Sequence, residues 1–280
     1  SSNMARTPKK AIIIGAGGQD GRLLFELLAK LGYSLIGVTR DSVITHKAQS
    51  PLKRIDIGNK KHVKKLISAF QADELYYLAA YHQSAQDKRL PVAQGLEKSY
   101  ETNVFSLINC LEAIRLRSPR TKLFYASSCL VFGNSKQKVQ DEQTPLLPDS
   151  PYAITKAAGM SACRLYREHF HVFAACGILY NHESAYRKDN FLSMKIIKAA
   201  IAAKKGSTAV TTVANLKARV DWGYAPDFVK AMRAILKLKQ PDDFIIATGR
   251  AHTVADLAAV AFGHFKLDWK KYGLSQQKNS

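Results

Sequence analysis

Short aliphatic runs alternate along the chain with longer stretches in which apolar residues recur every three or four positions. The runs Lys9 to Ile14, Ser34 to Val38, Leu75 to Ala79, Lys122 to Ala126, Val172 to Leu179 and Phe244 to Ala247 are nearly continuous in apolar character, as strands covered on both faces are. The helical pattern occupies Arg22 to Leu31, Lys60 to Phe70, Gln94 to Arg117, Pro151 to Phe170, Asn190 to Lys204, Pro226 to Leu238 and Val254 to Phe265. Strand alternating with helix predicts an α/β fold with a doubly wound parallel sheet. Residues 4–180, with 220–248 returning to them, are expected to build the sheet domain, leaving 181–219 and 249–280 for a small second lobe. The sequence contains no internal repeat, low-complexity tract or long linker.

The first strand runs directly into Gly15-Ala16-Gly17-Gly18-Gln19-Asp20-Gly21, and a helix follows. This order gives the glycines mechanical meaning. Gly15 permits a tight turn, Gly18 lets the backbone approach a pyrophosphate, and Gly21 allows close helix-to-strand packing, with the anion resting on the amides of the next helix. The spacing therefore predicts a dinucleotide site of Rossmann type. The second strand ends at Thr39-Arg40-Asp41, where the adenosine ribose would lie. A guanidinium at Arg40 pairs with a 2′-phosphate and favours NADP, whereas Asp41 would accept ribose hydroxyls and suit NAD.

Later, Ala126-Ser127-Ser128 closes a strand and Tyr152-Ala153-Ile154-Thr155-Lys156 opens a helix. Positions four apart share a helix face, so Tyr152 and Lys156 address one volume that Ser128 can join. A phenol with an ordinary pKa of about 10 is a poor base at neutral pH, and an adjacent ammonium lowers that value. The trio is thus a candidate acid/base and hydride-transfer site.

Composition refines this picture. The 280 residues are 46% hydrophobic, sufficient for one large core. No run reaches the length of a membrane span, and no amino-terminal segment has the order of a signal peptide. The cysteines Cys110, Cys129, Cys163 and Cys176 lack metal-ligand spacing and suit reduced thiols in a cytoplasmic protein, with no bound metal expected. The formal charge of +20 arises from 42 basic and 22 acidic residues, and the basic ones are spread over many helices. That dispersion argues against nucleic acid and for solvated faces plus an anionic substrate.

The residues also resemble the extended short-chain dehydrogenase/reductases, and within them the GDP-mannose 4,6-dehydratase subfamily, over nearly the whole chain. The carrying segments are Gly15 to Gly21, Leu78-Ala79-Ala80, Thr102-Asn103-Val104, Ser150 to Ala153, Gly177 to Ser184 with its Asn181-His182-Glu183-Ser184, Asp221-Trp222-Gly223 and Pro241 to Gly249. The resemblance implies a tightly held nicotinamide cofactor, NADP with NAD as the alternative, that oxidises C4 of the hexose in a nucleotide sugar. It implies that Tyr152 takes the C4 hydroxyl proton, Lys156 binds the nicotinamide ribose, and Ser128 holds the C4 oxygen. Gly15, Gly18, Gln19, Asp20, Gly21, Arg40, Asp56, Leu78, Ala79 and Ala80 would contact the cofactor. Ser84, Asn181, Lys195 and Arg219 would contact the substrate, Arg219 at its diphosphate. It further implies a homodimer or higher oligomer formed through the helices at Gln94 to Arg117 and Pro151 to Phe170. His82 and Gln83 follow the Leu78-Ala79-Ala80 strand end, either as substrate contacts or as loop residues, and His182 reads as part of a structural turn.

Three departures qualify the resemblance. The family reads A-S-T-S-E where this chain has Ala126-Ser127-Ser128-Cys129-Leu130, so Leu130 occupies the place of the catalytic glutamate. An isobutyl group accepts no proton. If the segment is extended, Cys129 points away from Leu130. Val220 stands where the family has arginine, with Arg219 one residue earlier, and on a strand one step reverses facing. Finally, a carboxy-terminal stretch of the family is lacking, so the substrate lobe is expected to be abbreviated. Three functions remain open: a dehydratase-like enzyme acting at C4, an epimerase or reductase of a nucleotide keto-sugar, and a non-catalytic NADP-binding homologue.

Overall fold

The structure, a computed structural model, describes residues 6–82, 90–272 and 274–277. Along the chain come β1 (Lys10–Ile14), α1 (Gln19–Lys30), β2 (Ser34–Val38), β3 (Val43–His46), α2 (Lys60–Phe70), β4 (Glu74–Tyr77), α3 (Val92–Tyr100) and α4 (Ser106–Arg117). There follow β5 (Lys122–Ser128), α5 (Pro151–His169), β6 (Ala174–Leu179), β7 (Asn181–Glu183), α6 (Leu192–Lys204), β8 (Thr211–Val213), β9 (Arg219–Val220) and β10 (Trp222–Tyr224). The last elements are α7 (Ala225–Leu236), β11 (Asp243–Ile246), β12 (His252–Thr253), α8 (Val254–Gly263) and β13 (Leu274–Gln276). Described residues up to Tyr180 and Ala225–Ile246 form one compact unit; Asn181–Tyr224 and those from Ala247 onward form a second.

The first unit holds a seven-stranded sheet in the order β11-β6-β5-β4-β1-β2-β3. Its strands run parallel except β3, which lies antiparallel on β2. Alternate residues feed opposite faces. Ile12, Ile14, Leu75, Tyr77, Leu123 and Tyr125 pack with Val63, Leu111 and Cys163 of α2, α4 and α5. Ala11, Ile13, Tyr76 and Phe124 pack with Leu24 of α1 and Met232 of α7. This two-sided burial explains the unbroken apolar runs.

Several boundaries differ from the expected ones. β3 lacked a hydrophobic signal because it is a short edge strand, with Ile44 left 43% exposed. β4 starts at Glu74, a polar residue that the apolar pattern passed over; it is buried because Tyr33 and Tyr76 donate their hydroxyls to it at 3.0 and 2.9 Å. The helix expected over Gln94 to Arg117 begins at Val92 and is interrupted by a π-helical turn, Glu101–Phe105, between α3 and α4. Such a turn changes the usual backbone pairing, and two hydroxyls from the sheet bond its carbonyls: Tyr77 donates to Thr102 and Tyr125 to Asn103, the latter at 2.8 Å. On the outer strand β11, Glu142 accepts the Ile245 N–H at 3.0 Å, which gives this loop carboxylate a structural task.

In the second unit, Ile196 and Ala200 of α6 pack with Val254, Ala258 and Phe262 of α8. Three two-stranded ladders accompany them: β7 with β10, β9 with β12, and β8 with β13. Among the described residues no helix is long and apolar enough to cross a membrane, and no cluster of three or more His, Cys, Asp or Glu could hold a metal.

Candidate active site

Strand order reverses around β1, which lies between β2 and β4, so the carboxyl ends of β1 and β4 open a crevice of the kind that binds ligands in doubly wound sheets. The glycine loop fills its floor. Gly15 has φ +89°, and a Cβ there would stand 2.5 Å from the Ala79 nitrogen. A Cβ on Gly21 would stand 2.1 Å from the Gly15 carbonyl oxygen, so this helix start packs on the strand exit only as glycine. Gly18 caps α1 without a side chain, and a Cβ on it would meet nothing nearer than the Gly15 oxygen at 3.8 Å. Close packing below and room above make a cradle that fits a dinucleotide pyrophosphate at a helix start. Gly21→Ala should therefore displace the loop, costing at least about tenfold in cofactor affinity by titration and lowering the melting temperature.

Around this cradle, Gln19 donates its amide to Asp20 at 3.3 Å, and Leu78 donates its N–H to Ile14 at 2.8 Å, which ties Leu78-Ala79-Ala80 to the glycine strand. Arg40 and Asp41 are exposed at the tip of a turn closed by the Thr39 and Ser42 hydroxyls, 2.8 Å apart. Asp56 shapes the approach to α2, since its carboxylate accepts the Gly58 N–H at 2.9 Å and its own N–H donates to His62 Nδ1 at 3.1 Å.

Beside the crevice, local sequence fixes the start of α5. Ser150 accepts the Ala153 N–H at 3.2 Å and Pro151 sits in the first turn, so Tyr152 falls at the helix entrance and Lys156 one turn later. Lys156 is only 1% exposed. Its Nζ donates to the Ala126 carbonyl at 2.7 Å and lies 4.8 Å from the Tyr125 ring centre and 5.6 Å from that of Tyr152. Burial pushes the Lys156 amine down to about 7, so at neutral pH the cation is held at a cost. Gly159 makes the reach possible, because a Cβ there would stand 2.3 Å from the Tyr125 hydroxyl and push α5 away from β5. Asn103, fully buried in the π-helical turn, clasps both sides: its amide donates to Thr155 at 3.0 Å and its oxygen accepts the Tyr81 N–H at 3.1 Å. Ser127 Oγ is buried in β5 without a hydrogen-bond partner, an orphan of the kind that a bound polar group satisfies.

A family model described as GDP-mannose 4,6 dehydratase matches residues 12–280. "GDP-mannose 4,6 dehydratase 2" of Arabidopsis thaliana is 36% identical, over 97% of this chain and 76% of its own length. The chain belongs to the GDP-mannose 4,6-dehydratase family. Solved folds agree: the structure of RMD from Pseudomonas aeruginosa complexed with NADPH superposes with a TM-score of 0.81 at 17% identity, over 96% of this chain and 87% of that one. A dTDP-glucose 4,6-dehydratase from Bacillus anthracis in complex with NAD gives 0.79 at 17% identity, over 97% and 85%.

In this member of the GDP-mannose 4,6-dehydratase family, β5 exits into a tight turn. Ser128 accepts the Leu130 N–H on its Oγ at 3.2 Å and so caps a single 3₁₀ turn, Cys129–Phe132. The extended-strand alternation assumed for Cys129 and Leu130 does not apply, because a helical turn places successive side chains about a third of a revolution apart. Leu130 is 46% exposed and Cys129 partly buried. Gly133 then turns the chain at φ +55°, where a Cβ would collide with the Leu147 carbonyl at 1.9 Å.

Asn181, Lys195 and Arg219 all lie in the second unit. Asn181 is exposed at the start of β7, Lys195 is partly buried on α6, and Arg219 is exposed on β9 with Nη2 donating to the Ala251 carbonyl at 3.3 Å. Glu183 binds Arg187 at 3.0 Å and the Ser193 hydroxyl at 2.7 Å, while Arg187 also donates to the carbonyl of buried His182. The carboxylate of Asp221 accepts the Thr248 hydroxyl at 2.6 Å and the Gly249 N–H at 2.9 Å, which makes it a turn lock. Ser84 and Gln83 lie outside the described residues. Asn103, absent from the expected site residues, was visible in sequence only as part of Thr102-Asn103-Val104.

Proposed function

We propose that the chain is a nicotinamide-dependent enzyme that oxidises C4 of the hexose in a nucleotide sugar, and that GDP-mannose 4,6-dehydration is its most natural activity. The observation carrying this reading is the buried Lys156, its Nζ 5.6 Å from the Tyr152 ring centre, on a helix packed against the sheet whose first strand leads into the glycine cradle. NADP is the favoured cofactor, on the strength of Arg40 beyond β2, and when bound it supplies the acceptor and donor of hydride. Tyr152 takes the proton of the C4 hydroxyl, Ser128 holds the C4 oxygen, and Lys156 favours the phenolate. A hydroxyl accepting a hydrogen bond from Lys156 Nζ would favour its charged form despite burial. The C4 ketone so formed acidifies the neighbouring C5 proton, whose loss permits elimination of water from C6. Asn181, Lys195 and Arg219 serve the sugar and its diphosphate, and the active form is a homodimer or higher homo-oligomer.

Leu130 favours a second reading, epimerase or reductase of a nucleotide keto-sugar, since such chemistry needs no carboxylate at that place. The product formed from GDP-mannose with NADP separates the two. A mass lower by one water is the expected result; an unchanged mass, with cofactor and sugar nucleotide both bound, would set dehydration aside in favour of epimerisation, a different substrate or a non-catalytic role.

A further inference from the structure

Tyr125 of β5 holds Lys156 from two directions. Its ring centre lies 4.8 Å from Lys156 Nζ, nearer than that of Tyr152 at 5.6 Å. Its hydroxyl donates to the Asn103 carbonyl at 2.8 Å, and the Asn103 amide donates to Thr155, the residue before Lys156, at 3.0 Å. Backbone and ammonium of the lysine are thereby both tied to one fully buried ring of the sheet. A Cβ on Gly159 would stand 2.3 Å from the same hydroxyl, so α5 lies close against Tyr125 only with glycine there. The ring and the hydroxyl have separate tasks, and tyrosine supplies both.

The ammonium needs such a partner because little else offsets its burial. Among the described residues Lys156 forms no ion pair. The titratable groups facing it are Tyr125 on β5, Tyr152 and Cys163 on α5, and Cys176 on β6. One N–H is taken by the Ala126 carbonyl at 2.7 Å. An aromatic face carries negative potential, and it attracts a desolvated cation more strongly than an exposed one. We propose that Tyr125 is the positioning residue of Lys156: its ring face holds the ammonium and keeps it charged beside Tyr152, while its hydroxyl fixes the π-helical turn that anchors Thr155. The proposal rests on the C4-oxidation reading for its catalytic meaning, since there a charged Lys156 favours the Tyr152 phenolate.

Fluorine on the ring tests this, because it withdraws the negative potential of the face while the ring nearly keeps its size. Tyr125→Phe serves as the reference, and trifluorophenylalanine is placed at the same position by nonsense suppression. In cofactor-free protein labelled with ¹³C-lysine, the ε-carbon signal missing from Lys156→Met identifies Lys156, and its pH titration gives the midpoint at which the amine loses its proton. That midpoint should fall by about one pH unit from the reference to the fluorinated protein. Equal midpoints would overturn the proposal, since a ring that only fills space gives that result. Tyr125→Phe should itself lower the melting temperature, because the Asn103 carbonyl loses its donor, and unchanged melting would overturn the anchoring task of the hydroxyl. With GDP-mannose and NADP, the alkaline decline of turnover should move down together with the lysine midpoint, and a decline left in place would overturn the catalytic meaning of the contact. If wild-type protein leaves GDP-mannose untouched, that failure belongs to the activity reading, and the lysine midpoint alone decides the role of the Tyr125 ring.

Discussion

Tyr152→Phe should lower turnover of GDP-mannose by about 10²- to 10⁴-fold, the range that positioned acid/base groups contribute. The substitution removes one oxygen and keeps the ring, so the edge contact with His82 and the 5.6 Å approach of Lys156 Nζ survive. The glycine cradle is untouched, and NADP should bind with unchanged affinity. Product analysis at matched protein concentration, with cofactor titration alongside, checks both halves. If the variant retained more than about a tenth of the wild-type rate, Tyr152 would not be the group that handles the C4 hydroxyl proton. If cofactor affinity fell together with turnover, the loss would be one of folding.

Lys156→Met should abolish the same turnover while making the cofactor-free protein more stable at neutral pH. Burial pushes the amine down to about 7 from an ordinary value near 10.5. Between those values the unfolded chain binds a proton that the folded chain does not, so wild-type stability rises as pH rises from about 7 towards 10. At and below neutral pH the buried cation costs the fold on the order of 5 kcal/mol. Met fills a similar volume and removes that cost, although the Ala126 carbonyl loses its donor. The expected result is a higher melting temperature than wild type at pH 6 to 7, with the difference closing towards about pH 10 as the wild-type amine becomes neutral in both states. Parallel melting curves across that range would mean that Lys156 is not held in a desolvated state.

The sequence made much of the first unit legible, and for definite reasons. Residues such as Ile12, Ile13 and Ile14 are apolar because both faces of β1 are covered, so an uninterrupted run marks a central strand. Gly15 and Gly21 were recognisable because a backbone collision excludes every side chain at those points. Tyr152 and Lys156 were placed on one helix face by spacing alone, and Ser150-Pro151 announced where that helix starts.

Other features carry little local signal. β3 is too short and exposed to show a pattern. The π-helical turn at Glu101–Phe105 receives hydroxyls from Tyr77 and Tyr125, and in sequence those tyrosines read only as core aromatics. The 3₁₀ turn after Ser128 overturned an alternation argument that presumed extended chain, because the capping bond from the Leu130 N–H closes the turn locally. The acid residues sort in the same way. Glu142, Glu183 and Asp221 could each have been a catalytic carboxylate by composition, yet each is occupied by backbone N–H groups, hydroxyls or an arginine.

The sequence by itself determined the class of fold, the glycine cradle and the Tyr152 and Lys156 spacing, since each is written in residue type at short range. Only the tertiary structure decided that Lys156 is desolvated against the Ala126 carbonyl, that Asn103 joins the Tyr81 segment to α5, and that His82 stands against Tyr152. Those facts depend on contacts between residues 22 to 70 positions apart in the chain, and a local pattern carries no record of which distant surfaces meet.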